Sequence, residues 1–119
     1  ARMGPVVPVW DIADKFGDTD MLVVDMEQGR DLARCVGDTR VTLMRGHGAV
    51  AASDTLRDAV NIAVYLQVNA RQQMMAMQLG TPKFLSPGEV ELAIKRQSSP
   101  LALDRAWEYW RHRAVGDEL

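Results

Sequence analysis

A chain of 119 residues has room for one domain, and 47% apolar with 25% charged side chains marks it as globular rather than disordered. Fourteen Lys and Arg against sixteen Asp and Glu leave a net charge of −2, which removes the electrostatic case for nucleic acid or an acidic membrane surface, and no apolar run approaches the roughly 18 residues of a membrane span. The single cysteine, Cys35, excludes an internal disulfide framework and a multi-cysteine zinc site; with no charged-then-apolar leader in view, the expected compartment is the cytoplasm.

Val6 to Trp10 reads as a short or edge strand, because Pro5 and Pro8 flank and interrupt it. An apolar strand this near residue 1 leads us to expect a chain that starts inside a domain. Asp11 to Asp20 is turn-rich around Gly17-Asp18, and Met21 to Val24 reads as a possible short strand. Asp25 is the expected cap of a helix carrying Leu32, Ala33 and Val36, with Gln28 closing a capping box and Gly37 ending it. Val41 to Arg45 and Ala49 to Ala52 read as two strands around Gly46-His47-Gly48, a hairpin or sharp bend apolar on both faces, as in a covered sheet.

Ser53 and Asp54 offer capping oxygens to the longest element, a helix over Thr55 to Leu79. Leu56, Ala59, Val60, Ala63, Leu66, Ala70, Met74 and Met77 recur at helical spacing, and the wide stripe demands cover on more than one side. Gly80 and Pro82 stop it, and Ser86-Pro87-Gly88-Glu89 starts the next helix with a serine cap, a proline at the first position and a glutamate three after the cap. A last helix over about Leu101 to Arg113 sets Leu103, Trp107 and Trp110 on one stripe and points Tyr109 elsewhere. Short strands followed by three helices make an α/β or α+β piece, not a bundle.

His47 is the leading site candidate. Glycines on both sides remove bulk and permit unusual backbone angles, so a metal or ligand can approach the imidazole. If the strand ran on through it, Arg45 would share its face and offer a planar positive fork for a carboxylate or phosphate. The plainer alternative is a turn histidine with Arg45 solvated nearby. Tyr109 is either a buried or interface tyrosine or a proton donor at a shared active site. His112 suits the end of its helix, Cys35 a small buried hydrophobe, and Met74, Met75 and Met77 core or subunit packing. A catalytic metal normally takes three protein ligands, and no His-x-His or His-x-x-x-His is present.

The run Val41-Thr42-Leu43-Met44-Arg45-Gly46-His47-Gly48-Ala49-Val50-Ala51-Ala52, followed by Thr55-Leu56-Arg57-Asp58-Ala59 and a long helix, resembles the class II aldolase/adducin-head family. Val64 to Ala70, Gly4 to Val9 and Gly17 to Leu22 fit the same pattern more weakly. The resemblance covers nearly all of residues 1–119 but implies only the C-terminal half of one domain. The implied fold is a three-layer α/β/α class with a central, mostly antiparallel sheet.

It further implies that His47 ligates a divalent metal ion, zinc or manganese, with the remaining ligands and the acid/base glutamate on a missing N-terminal segment or a separate chain. Homo-oligomers, tetramers or larger, with sites at subunit boundaries are implied, as is a small-molecule carboxylate substrate, without nucleic acid or membrane. In such lyases the metal stabilises the enolate-like charge left when a carbon–carbon bond breaks. Arg45 before Gly46-His47-Gly48, and Arg105 to Trp110 with Tyr109 inside it, look most like a branch that decarboxylates hydroxylated aromatic or heteroaromatic carboxylates. Aldol cleavage of a sugar-like, phosphorylated substrate is the alternative; an isomerase- or dehydratase-like activity and a non-catalytic adducin-like scaffold remain open.

Overall fold

The computed structural model describes residues 3–97 and 99–116. Three strands form a small mixed sheet in the order β1 (Val9–Trp10), β2 (Val41–Met44), β3 (Gly48–Ala51). β1 runs parallel to β2, with Val9 opposite Leu43 and Trp10 opposite Met44. β2 and β3 form the antiparallel hairpin expected from the sequence, with Val41 opposite Ala51 and Met44 opposite Gly48. The expected strand over Val6 to Trp10 shrinks to its last two residues, because Pro8 has no N–H for a ladder. Met21 to Val24 is not a strand. Val24 N–H instead donates to Gln28 Oε1 at 2.8 Å, which ties the segment to the following helix.

Between β1 and β2 lie α1 (Ala13–Phe16), a single turn inside the region read only as turns, and α2 (Met26–Val36). Asp25 caps α2 as expected, its Oδ1 accepting from Glu27 N and Gln28 N at 2.9 Å each. Gln28 closes the box one residue early, on Val24 rather than on Asp25. α3 (Leu56–Leu79) follows β3, then α4 (Pro87–Gln97) and α5 (Pro100–Val115). The cap of α3 is Thr55, whose hydroxyl accepts from Asp58 N at 3.2 Å. Ser53, expected as a cap, instead donates to Asp58 Oδ2 at 2.8 Å, beside the Arg40–Asp58 ion pair at 2.9 Å. The start of α4 is a complete capping box: Ser86 Oγ accepts from Glu89 N at 3.2 Å and Glu89 Oε2 from Ser86 N at 2.7 Å.

Period-two alternation gives β2 two apolar faces. Val41 meets Ile62 of α3 and Met3, with Ala51, Val7 and Leu66 around them. Met44 meets Trp10 and Ile12, with Leu32 and Cys35 of α2, Val50, Phe16 and Met21 packed on them. Thr42, on the second face, is fully buried and still satisfied. Its hydroxyl donates to Pro8 O at 3.1 Å and lies 3.3 Å from Cys35 Sγ, so the thiol is the donor of that pair. β2 is thus covered as expected, whereas β3 is an edge strand and half exposed.

The stripe read along α3 is only partly buried. Ile62 and Asn61 are its buried positions, Val60 and Leu66 are half-buried, and Ala63 is exposed. Beyond Leu66 the helix leaves the sheet, and Met74, Met75 and Met77 are exposed rather than core. α5 packs along α3 through Tyr65 and Trp110, whose rings meet edge to face at 6.4 Å, and through an Arg57–Asp104 pair at 2.8 Å with Arg57 over Trp107. The radius of gyration is 16.4 Å, against about 13.5 Å for a compact domain of this length.

Candidate functional site

β2 stops at Met44 because residues 45–47 form a turn, closed by His47 N–H donating to Met44 O at 3.1 Å. Gly46 has φ +68°, and a Cβ there would lie 2.7 Å from Met21 Sδ, so the turn needs glycine for both angle and space. The side-chain alternation expected to carry Arg45 and His47 on one strand face therefore ends before it reaches them. The turn itself still keeps the two together, and both side chains are exposed at the tip of the hairpin.

Arg45 is held from two directions. Its N–H donates to Trp10 O at 3.0 Å, extending the β1–β2 ladder by one bond. Its Nε–H donates to a carboxylate oxygen of Asp11 in a close ion pair. Asp11 is itself fixed, since its other oxygen accepts from Ala13 N at 2.9 Å and so opens α1. The guanidinium bond and the Ala13 N–H hold the Asp11 carboxyl below its ordinary range, and the same pair raises Arg45 above its own. Below the turn, Trp10 Nε1–H donates to Asp31 Oδ2 at 2.9 Å, and Lys15 and Arg34 approach Asp31 at 3.7 and 3.6 Å. These contacts lock α2 beneath the strand end that carries Asp11.

Asp11 was not among the residues singled out from the sequence. It stands 34 positions from Arg45, and a lone aspartate after a strand is ordinary turn chemistry. Tyr109 lies on α5, exposed, its hydroxyl accepting from Arg113 Nη1 at 3.4 Å. α5 rests on α3 and carries Tyr109 with it, while Arg45 and His47 sit on the hairpin turn. Trp107 and Trp110 are half-buried on the stripe expected of them.

Whether these residues suit a divalent metal is decided by the donor set. His47 fits as one ligand, being exposed between two glycines. Among the described residues, however, no group of three or more His, Cys, Asp or Glu side chains is placed to hold an ion. The residues in hand do not make up a catalytic metal site. No helix of the described residues is long and apolar enough to cross a membrane.

Beside the turn, an open groove of about 360 Å³ runs between the hairpin and α3, lined by Leu43, Gly48, Ala49, Ala63, Leu66 and Ala70 among others. Its walls are small and apolar, and Gly48 joins it directly to His47.

Comparison with known proteins adds two findings. The decarboxylase TropJ of Talaromyces stipitatus is 27% identical over an alignment that takes in 91% of this chain and 48% of that protein, so the chain spans about half the length of the curated relative it matches. The family model for the class II aldolase and adducin N-terminal domain matches residues 3–74, from the segment before β1 through most of α3, and so includes the whole Arg45–His47 turn. The chain belongs to the class II aldolase and adducin family.

Proposed function

We propose that this chain is the C-terminal part of a metal-dependent carbon–carbon lyase domain, and that the complete protein decarboxylates a hydroxylated aromatic or heteroaromatic carboxylate. The observation that carries the reading is the exposed Arg45-Gly46-His47-Gly48 turn at the hairpin tip, inside the matched family region and in a chain similar to a decarboxylase. Helices on both faces of the small sheet support a three-layer α/β/α arrangement for the whole domain. His47 contributes one ligand to a zinc or manganese ion, and an adjoining N-terminal segment or a second chain contributes the others. The extended radius of gyration and the uncovered apolar side chains of α3, Met74, Met75, Met77 and Leu79, support cover by such a segment and by further subunits of a homo-oligomer. The expected compartment is the cytoplasm.

Arg45 has a defined task in this reaction. A guanidinium on the substrate carboxylate pairs a charge that disappears as carbon dioxide leaves, so it favours the bound substrate over the transition state. Its contribution is orientation, holding the carboxylate so that the carbon–carbon bond tilts out of the ring plane once the ring carbon is protonated. An acid first protonates the ring carbon that carries the carboxylate; when the carbon–carbon bond then breaks, its electron pair returns to the ring, which regains aromaticity as carbon dioxide leaves. Tyr109 serves as that acid from across a subunit boundary, since within one chain it is carried on α5 and not on the turn.

The test uses the intact protein. His47→Ala is expected to lower metal content and to abolish carbon dioxide release together, with stability changed by less than about 0.5 kcal/mol because the side chain is exposed. Full metal content and full turnover in His47→Ala would remove the assignment. Release of an aldehyde instead of carbon dioxide would move it to the aldolase alternative.

A further inference from the structure

The Arg45–Asp11 pair does more than close a loop. An arginine guanidinium has two paired-donor edges, the Nε side and the Nη1/Nη2 tip, and Asp11 engages only Nε. The tip, made of Nη1 and Nη2, is the edge that matches a carboxylate with two parallel bonds. A free arginine samples many rotamers and loses that freedom when a ligand fixes it. Here that loss is already incurred. The backbone of Arg45 is tied to Trp10 O, its Nε to Asp11, and Asp11 to Ala13 N at the start of α1. The side chain is left half-exposed next to His47, beside the apolar groove that Gly48 borders.

Resting on the reading of Arg45 as the carboxylate holder, we infer that Asp11 is a positioning residue that clamps Arg45 through Nε and presents the Nη1/Nη2 tip to a substrate carboxylate at the His47 turn. Asp11 touches no substrate atom in this role. Its carboxylate is distinct from a substrate mimic: a mimic would compete for the same edge and weaken binding, whereas a clamp on the other edge strengthens it.

The opposite signs make the experiment decisive. Benzoate serves as the carboxylate probe and benzamide as its uncharged counterpart, titrated calorimetrically into the intact protein. The variants are Asp11→Asn, which retains the oxygen for Ala13 N but loses the charge, and Arg45→Lys. The Arg45 Nε–Hε resonance, followed by nitrogen-edited NMR, reports the clamp without any ligand. Expected are a sharp, exchange-protected Nε–Hε signal that is lost in Asp11→Asn, and benzoate affinity about tenfold weaker in both variants, with benzamide affinity unchanged. Benzoate binding that is unaltered or tighter in Asp11→Asn, while Arg45→Lys weakens it, overturns the clamp and leaves the reading of Arg45 standing. If benzoate does not bind the intact protein, or Arg45→Lys leaves its affinity unchanged, the reading itself falls and the inference with it. An Nε–Hε signal unchanged in Asp11→Asn overturns the clamp alone.

Discussion

Gly46 carries the local cost of the turn. Its φ of +68° places it where a side chain costs about 1–2 kcal/mol, and an added methyl also meets Met21 Sδ at 2.7 Å. The methionine end is flexible and moves aside, so the backbone term dominates. Gly46→Ala is therefore expected to lower stability by about 2 kcal/mol, read as a fall in melting temperature of several degrees; an unchanged melting temperature would show that the turn relaxes to another conformation. Asp11 makes a different prediction. Its carboxyl is held below the ordinary value by Arg45 first and Ala13 N second, so its contribution is present above the unfolded-state value and is lost as pH falls through the folded one. Arg45 is raised, so its counterpart loss lies only at extreme alkaline pH. The melting-temperature gap between the parent and Asp11→Asn should hold steady near neutrality and close below about pH 4. A gap that persists into strong acid would show that the charge of Asp11 plays no part in it.

At the scale of elements, capping chemistry and breakers were the most legible signals. Asp25, Gly37, Gly80 and the Ser86–Glu89 box all sit at the ends they mark, because these are local interactions between residues a few positions apart. Which face of α3 is buried was not legible in the same way. Its apolar residues cover so much of the circumference that periodicity fits several faces, and contact with Val41 and Ala51 selects the one bearing Ile62. Stability should follow this selection. Ile62→Ala empties a fully buried site and is expected to cost about 2–5 kcal/mol, more than Val60→Asp, whose half-buried position lets the carboxylate turn to water. Denaturant titration of both variants checks the order, and a larger loss in Val60→Asp would restore the stripe as first read.

Across the whole molecule, the hairpin with its glycine-flanked histidine and the long helix after it could be read from contiguous residues, so the turn was located to within one residue, Arg45 belonging to it and not to the strand. What joins β1 to β2 could not. The parallel pairing spans 34 residues and leaves no periodic trace in either partner, so neither the place of β1 in the sheet nor the partnership of Asp11 with Arg45 was accessible from the sequence. Trp10 and Thr42 show the same limit. An indole bonded to Asp31 and a buried hydroxyl bonded to Pro8 O are polar satisfactions that exist only after the crossover has closed.

That crossover also sets an order of events in time. The β2–β3 hairpin needs only a three-residue turn, and hairpins close within about 1–10 μs. β1 must wait until α1 and α2 bring it back across the intervening chain, a later and entropically dearer closure. The Asp11–Arg45 bond is then expected among the last contacts, after the rate-limiting barrier. Asp11→Asn is accordingly expected to leave the refolding rate unchanged and to speed unfolding by the whole of its effect on stability, as read from the two arms of a stopped-flow denaturant series. Slower refolding in that variant would place β1 in the folding nucleus. A late β1 would have the His47 turn shaped before Arg45 is secured, leaving a window in which the hairpin tip is built while its arginine still swings free.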